Sequence, residues 1–176
     1  MSPVRVLASV VLALSLACAG APPRAPGAPV RVVMVGAAVV NKPPPQGLVG
    51  DVFGSDTPRE VVARAGAEAL RSRGFEVLGV EGVGGPAPTV EQAAAIARRY
   101  GAEAAVVLVL TRLDLSALRP LGQVEVELES LMVGPAGQVW TRQERHGTTT
   151  ERLYRAQTDW RSHVRQAVIQ SVRELP

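Results

Sequence analysis

Cysteine occurs once in the 176 residues, at Cys18, and that scarcity excludes several kinds of chemistry. No disulfide can form within the chain, even in a compartment that permits one. With its only sulfur at Cys18, the sequence offers neither a Cys-x-x-Cys redox pair nor a cysteine-ligated metal site. Histidine is nearly as rare, limited to His146 and His163. Lysine occurs once, at Lys42, so no Walker-type Gly-Lys-Ser/Thr loop is present. A Gly-x-Ser-x-Gly nucleophile elbow and a dinucleotide-binding glycine fingerprint are missing too. Nothing therefore points to a cofactor or to catalysis. Aromatic residues make up 3% of the chain, and at that scarcity Trp140 and Trp160 are expected to pack in the core.

A long apolar run is also lacking. The longest, Val6–Ala17, is interrupted by Ser9 and Ser15 and falls short of the ~20 residues that span a bilayer. With Arg5 before it and small residues at its end, it reads as a secretory signal. Its close, Leu14-Ser15-Leu16-Ala17-Cys18, resembles a lipobox. The resemblance implies a diacylglyceryl group on the Cys18 sulfur, cleavage after Ala17 and acylation of the freed amine. An ordinary signal-peptidase cut near Ala17 or Ala19 and an uncleaved anchor are the competing readings. The Ala/Pro/Gly-rich stretch from Ala19 to Pro29 favours lipidation, because it suits an extended tether and cannot form a core. Ala19 after the cysteine, where Asp is absent, resembles lipoproteins sorted to the outer membrane. The expected organisation is a signal peptide at 1–17, a lipidated tether at 18–29 and one globular domain at 30–176.

The formal charge is +3, and the isoelectric point of about 9.7 invites a nucleic-acid reading. Removing Arg5 with the signal leaves +3 − 1 = +2. The arginines alternate with glutamates instead of forming a basic stripe, so no phosphate-tracking surface is expected.

Val30–Val40 is an almost unbroken, β-branched apolar run, as in a strand buried on both faces, and Pro43-Pro44-Pro45 ends it. Thr57, Pro58 and Glu60 announce a helix through a capping box. Val62, Ala65, Ala69 and Leu70 form its buried stripe, Gly74 its stop, and Phe75 folds back on it. Phe75–Val83 reads as a second strand. A second capping box, Thr89 with Gln92, opens a helix with Ala93, Ile96, Ala97 and Tyr100 on one face and Gly101 at its end. Ala104–Leu110, extending through Leu113 and Leu115, is a third, buried strand.

The pattern then changes. Val124, Val126 and Leu128 alternate with Glu125, Glu127 and Glu129, giving a strand dry on one face and wet on the other. Gly134-Pro135-Ala136-Gly137 makes a turn and Gln138–Arg145 returns as a hairpin partner. A last helix follows Thr148–Thr150 and runs to about Glu174, with Leu153, Trp160, Val164, Ala167, Val168 and Leu175 facing the core. The order is β-α-β-α-β-β-β-α, a mixed α/β sheet whose first three strands are joined by helical crossovers.

Three stretches carry a family resemblance. Tyr100-Gly101-Ala102-Glu103-Ala104-Ala105-Val106-Val107-Leu108, Val133-Gly134-Pro135-Ala136-Gly137-Gln138-Val139-Trp140 and Val172-Arg173-Glu174-Leu175-Pro176 resemble the helix-to-strand junction, hairpin and final helix of a group of small periplasmic lipoproteins. The hairpin departs from the group's pattern in lacking its Asp and Thr. The group includes the curli-secretion lipoprotein, an exopolysaccharide-export lipoprotein, lipoprotein activators of penicillin-binding proteins and the N-terminal domain of the Tol–Pal β-propeller protein. The resemblance implies a similar fold and a role in an envelope machine.

Other candidate sites weigh less. His146 lies near Glu144 and Glu151, yet no third ligand is suitably spaced for a metal. His163, between Arg161 and Arg165, is expected at the surface. Backbone amides around Gly47, Gly50 and Gly54 could cradle an anion, which keeps a small-ligand carrier or enzyme as the alternative reading. The Glu125–Glu129 row reads as a solvated face. The expectation is a non-catalytic module that meets envelope proteins, or copies of itself, through Gln138, Trp140, Thr141, Arg142, Gln143, Glu144 and Arg145 on an exposed sheet edge.

Overall fold

Six consecutive buried residues, Val32–Ala37, form the middle of strand β1 (Arg31–Ala38), and a strand buried on both faces needs a layer on each side. The computed structural model describes residues 26–40, 56–114, 123–150 and 160–176. The signal, Cys18, the Gly47–Gly54 loop, Leu115 and Leu153 lie outside the described residues. The elements after β1 are α1 (Pro58–Ser72), β2 (Glu76–Val83), α2 (Val90–Tyr100), β3 (Ala104–Asp114), β4 (Gln123–Val133), β5 (Val139–Thr150) and α3 (Trp160–Arg173). The element order matches the sequence reading.

The sheet is open and mixed, in the order β2-β1-β3-β4-β5. β1 runs parallel to β2 and β3, while β4 and β5 are antiparallel additions. The two parallel crossovers, β1 to β2 and β2 to β3, travel in opposite directions across the sheet. Connections of one hand must then place their helices on opposite faces, and α1 and α2 lie on opposite faces. Val32, Met34, Val106, Leu108, Leu110, Val126 and Leu128 point to the α1/α3 side. Val33, Val35, Ala37, Ala105, Val107 and Val109 point to the α2 side.

The helix ends form as the sequence chemistry dictates. Glu60 Oε2 accepts from Thr57 N–H at 2.8 Å. In α2 both halves of the box form, Gln92 N to Thr89 Oγ1 at 3.3 Å and Thr89 N to Gln92 Oε1 at 2.9 Å. Gly74 and Gly101 adopt left-handed φ of 78° and 61°, where a Cβ would strain the backbone. Phe75 folds back beneath α1, its N–H donating to Leu70 O at 3.0 Å.

The Gly101-Ala102-Glu103 step has a long-range task. The Glu103 carboxylate accepts from Val30 N at 2.7 Å and Arg31 N at 3.1 Å. Arg31 in turn donates to Gly101 O at 3.2 Å. The α2–β3 junction is thus clamped to the start of β1.

The C-terminal part differs from the sequence reading. β5 continues past Arg145 to Thr150, because β4 offers ladder partners as far as Gln123. α3 is described over Trp160–Arg173. His163 is not at the surface: it is 1% exposed and Arg161 only 7%. α3 packs against α1 as well as β4 and β5, so two neighbours widen its buried face beyond the single stripe of Val164, Ala167 and Val168. No helix among the described residues is long and apolar enough to cross a membrane.

Candidate partner interface

β5 is a terminal strand of the sheet, so among the described residues one row of its backbone groups has no neighbouring strand. The β4–β5 turn that presents it is closed by Gly137 N to Gly134 O and Gly134 N to Gln138 O, both 2.9 Å. Arg98 on α2 also donates to Pro135 O, which ties the turn to the α2 layer. Beyond the turn, Val133 pairs with Val139 but Met132 pairs with Thr141. Trp140 is the extra residue of this β-bulge, and a bulge re-aims its side chain.

Trp140 is therefore not a core residue: it is 41% exposed, next to Val139 at 50%. Trp160 does pack against the core. Sequence patterning missed the difference because scarcity of aromatics says nothing about register, and the bulge is a register event. Gln138 lies in the turn and is exposed.

From Thr141 to Arg145 the strand alternates cleanly. Thr141, Gln143 and Arg145 pair with Met132, Ser130 and Leu128 on the α1/α3 side and are half-buried. Arg145 is held there by Gln170 at 3.4 Å and by the Glu174 carboxylate. Arg142 and Glu144 pair with Leu131 and Glu129 on the other side and are exposed. The seven residues of the predicted interface thus separate: Arg145 joins the strand to α3, while Trp140, Arg142 and Glu144 face outward. His146 stands opposite Glu127 in the ladder, and its side chain lies outside the described residues.

The glutamate row of β4 shares that outward side. Arg112 meets Glu125 at 2.9 Å, Glu127 at 3.5 Å and Asp114 at 3.7 Å, so this end is a solvated ion network. Among the described residues, no three His, Asp or Glu side chains converge as metal ligands. At the opposite sheet edge, an open groove of about 370 Å³ lies between α1 and β2, rimmed by Glu60, Arg64, Glu68 and Arg71 above Val80 and Gly82. Its rim carries both signs of charge, and it is open to solvent.

No family model and no curated protein matches the chain by sequence. Solved structures do share its fold. The chain is similar to a point variant of the PelC dodecamer from Paraburkholderia phytofirmans, with TM-score 0.53 and 17% identity over 89% of this chain and 93% of that one. A second crystal form of PelC gives TM-score 0.52 and 16% identity over 84% and 89%. A looser likeness, TM-score 0.39 with 12% identity over 83% and 98%, relates it to lipoprotein GNA1162 from Neisseria meningitidis. The PelC likeness shows a shared α/β architecture along most of the chain.

Proposed function

We propose that this chain is a lipid-anchored, non-catalytic binding and assembly module of a bacterial envelope machine. The machine is a secretion or export apparatus, or a peptidoglycan synthase. The anchor is Cys18, and the site of action is the periplasmic side of the outer membrane. The observation that carries the reading is the open β5 edge, with Trp140 at 41% exposure beside the charged pair Arg142 and Glu144. An exposed edge invites strand pairing, and flanking charges restrict it to matched partners. The fold shared with PelC, which was crystallised as a dodecamer, supports self-association as one use of this edge.

Two experiments test the reading. Labelled fatty acid should enter the wild type and not Cys18→Ser, and a wild type that takes up no label and washes off membranes removes the anchor. Thr141→Pro deletes one backbone donor from the edge strand and should reduce self-association in light scattering and partner recovery in pull-downs from solubilised envelopes. A wild type that stays monomeric at roughly 100 μM, far above the range of specific complexes, excludes self-association. A folded Thr141→Pro that keeps every partner excludes docking through β5.

A further inference from the structure

The two helix layers do not cover the sheet equally. On the α1/α3 side, α3 lies over β4 and touches β5. On the other side α2 is the only helix among the described residues, and its core contacts end at Leu131 and Val133. Among the described residues the rest of β4 and the facing part of β5 have no helix above them there. The described charged side chains on that area are Asp114, Glu125, Glu127, Glu129, Glu144, Arg112 and Arg142. Among the described side chains five carboxylates there face two guanidiniums. Among the described residues no salt bridge reaches Glu129, which stands directly opposite Glu144, and like charges in that position repel.

The outer face of α3 has the opposite character. Arg165, Ile169 and Arg173 are exposed at i, i+4 and i+8, one straight stripe, with Ile169 at 43%. Among the described residues no salt bridge reaches Arg165 or Arg173. The nearby acid Glu174 is already engaged by Arg145. Eight residues of helix separate the arginines by about 12 Å. Four residues of strand separate Glu125 from Glu129 by about 13 Å. The two charge pairs therefore match in sign and in spacing, with Glu125 also shared by Arg112 at 2.9 Å, and they lie on opposite sides of the same sheet.

We propose that copies of this chain associate face to back, the Arg165–Ile169–Arg173 stripe of one seating on the Glu125–Glu129 row of the next. This inference rests on the self-association reading above and adds a second pair of surfaces to the β5 edge named there. The incoming α3 takes the place over β4 that α2 leaves open, covers Ile169 and relieves the repulsion at Glu129. A contact between two different surfaces leaves each copy with a free donor face and a free acceptor face. Such contacts propagate, into a ring if the rotation closes and into a filament if it does not.

The test is a charge swap in the full chain, purified in mild detergent and followed by sedimentation velocity. Arg165→Glu/Arg173→Glu makes both surfaces acidic, and Glu125→Lys/Glu129→Lys makes both basic. Each variant alone should self-associate at least about tenfold more weakly than wild type. An equimolar mixture should re-form assemblies, because each acidic stripe then meets a basic row. Wild-type association should weaken as salt rises to about 0.5 M. Circular dichroism confirms that both variants fold, as exposed positions allow. A monomeric wild type at roughly 100 μM overturns self-association and this inference together. Wild-type assemblies lost in Thr141→Pro but untouched by either charge reversal leave self-association standing and overturn the face-to-back contact. Dissociation of both variants without recovery in the mixture overturns it as well. So does an Arg165→Glu/Arg173→Glu variant whose one defect is weaker binding to phosphatidylglycerol vesicles, since the stripe then faces lipid.

Discussion

Arg73 reaches from the end of α1 to the end of α3, where its Nη1 donates to Leu175 O at 2.9 Å and to Val172 O at 2.6 Å. Carbonyls at a helix C-terminus have no partner within the helix and carry the negative end of its dipole. A guanidinium placed there satisfies them and joins α1 to α3. Hydrogen bonds from charged groups are worth about 1.5–3 kcal/mol each, and the half-buried position discounts that. Arg73→Ala should lower stability by about 2 kcal/mol in urea unfolding, with Arg73→Lys recovering part of it.

Leu108 is fully buried in β3. Leu108→Asp should cost several kcal/mol, because an unpaired carboxylate there has no water and no partner. Glu127→Asp, on the wet side of β4, should change stability by less than about 0.5 kcal/mol. Melting temperatures that agree between the two variants would contradict the strand assignments.

Glu103 has a pH signature. Hydrogen bonds from the Val30 and Arg31 backbone amides, helped by the Arg31 charge, hold its carboxyl below the usual carboxylate value of 4.5. A group whose folded value is depressed contributes stability above its unfolded value and loses it as pH falls through the folded one. The wild type should therefore lose stability as pH falls below about 4.5. Glu103→Gln should be less stable at neutral pH and show a flatter acid limb in pH-dependent melting.

Gly79 in β2 lies beneath the Tyr100 ring, and a Cβ there would collide with the ring carbons. The Tyr100 hydroxyl is also engaged, since its hydrogen bond to Glu81 pushes its titration up. Gly79→Ala should destabilise by about 1–3 kcal/mol through overpacking. Adding Tyr100→Ala should offset part of that cost, so that a double-mutant cycle shows coupling between the two positions.

Legibility in the sequence follows how local the physics is. Thr89 with Gln92, Gly74 with Phe75, and Gly101 act within a few residues, and all of them sit where the sequence placed them. The β1 run and the wet and dry alternation of β4 were equally plain, since burial on two faces or one writes itself into the period. The burial of His163 and Arg161 was not legible. It depends on α3 having both α1 and the sheet as neighbours, which no window of sequence contains. The exposure of Trp140 was hidden for a related reason: one bulged residue shifts the pairing of the strand, and polar strands mark bulges poorly. The candidate interface was legible as an edge, whereas its division between an inward Arg145 and an outward Arg142–Glu144 pair followed only from the register with β4.

The position of α3 also bears on the order in which the chain becomes a folded object. β1 is made before the other strands, yet it lies inside the sheet between two that emerge later. The β4 side chains Val126, Leu128 and Met132 have no helix above them until α3 arrives. The Arg73 bridge cannot close until Leu175 is present. The packing of α3 on α1, β4 and β5 is therefore withheld until α3 has been made, and contacts between distant segments form slowly in any case. If the chain is exported as proposed, that delay leaves the α1/α3 side of the sheet unsealed while the chain passes. It also means that a fragment cut short before Trp160 would expose apolar strand surface and fall to proteases or chaperones instead of persisting as a smaller stable protein.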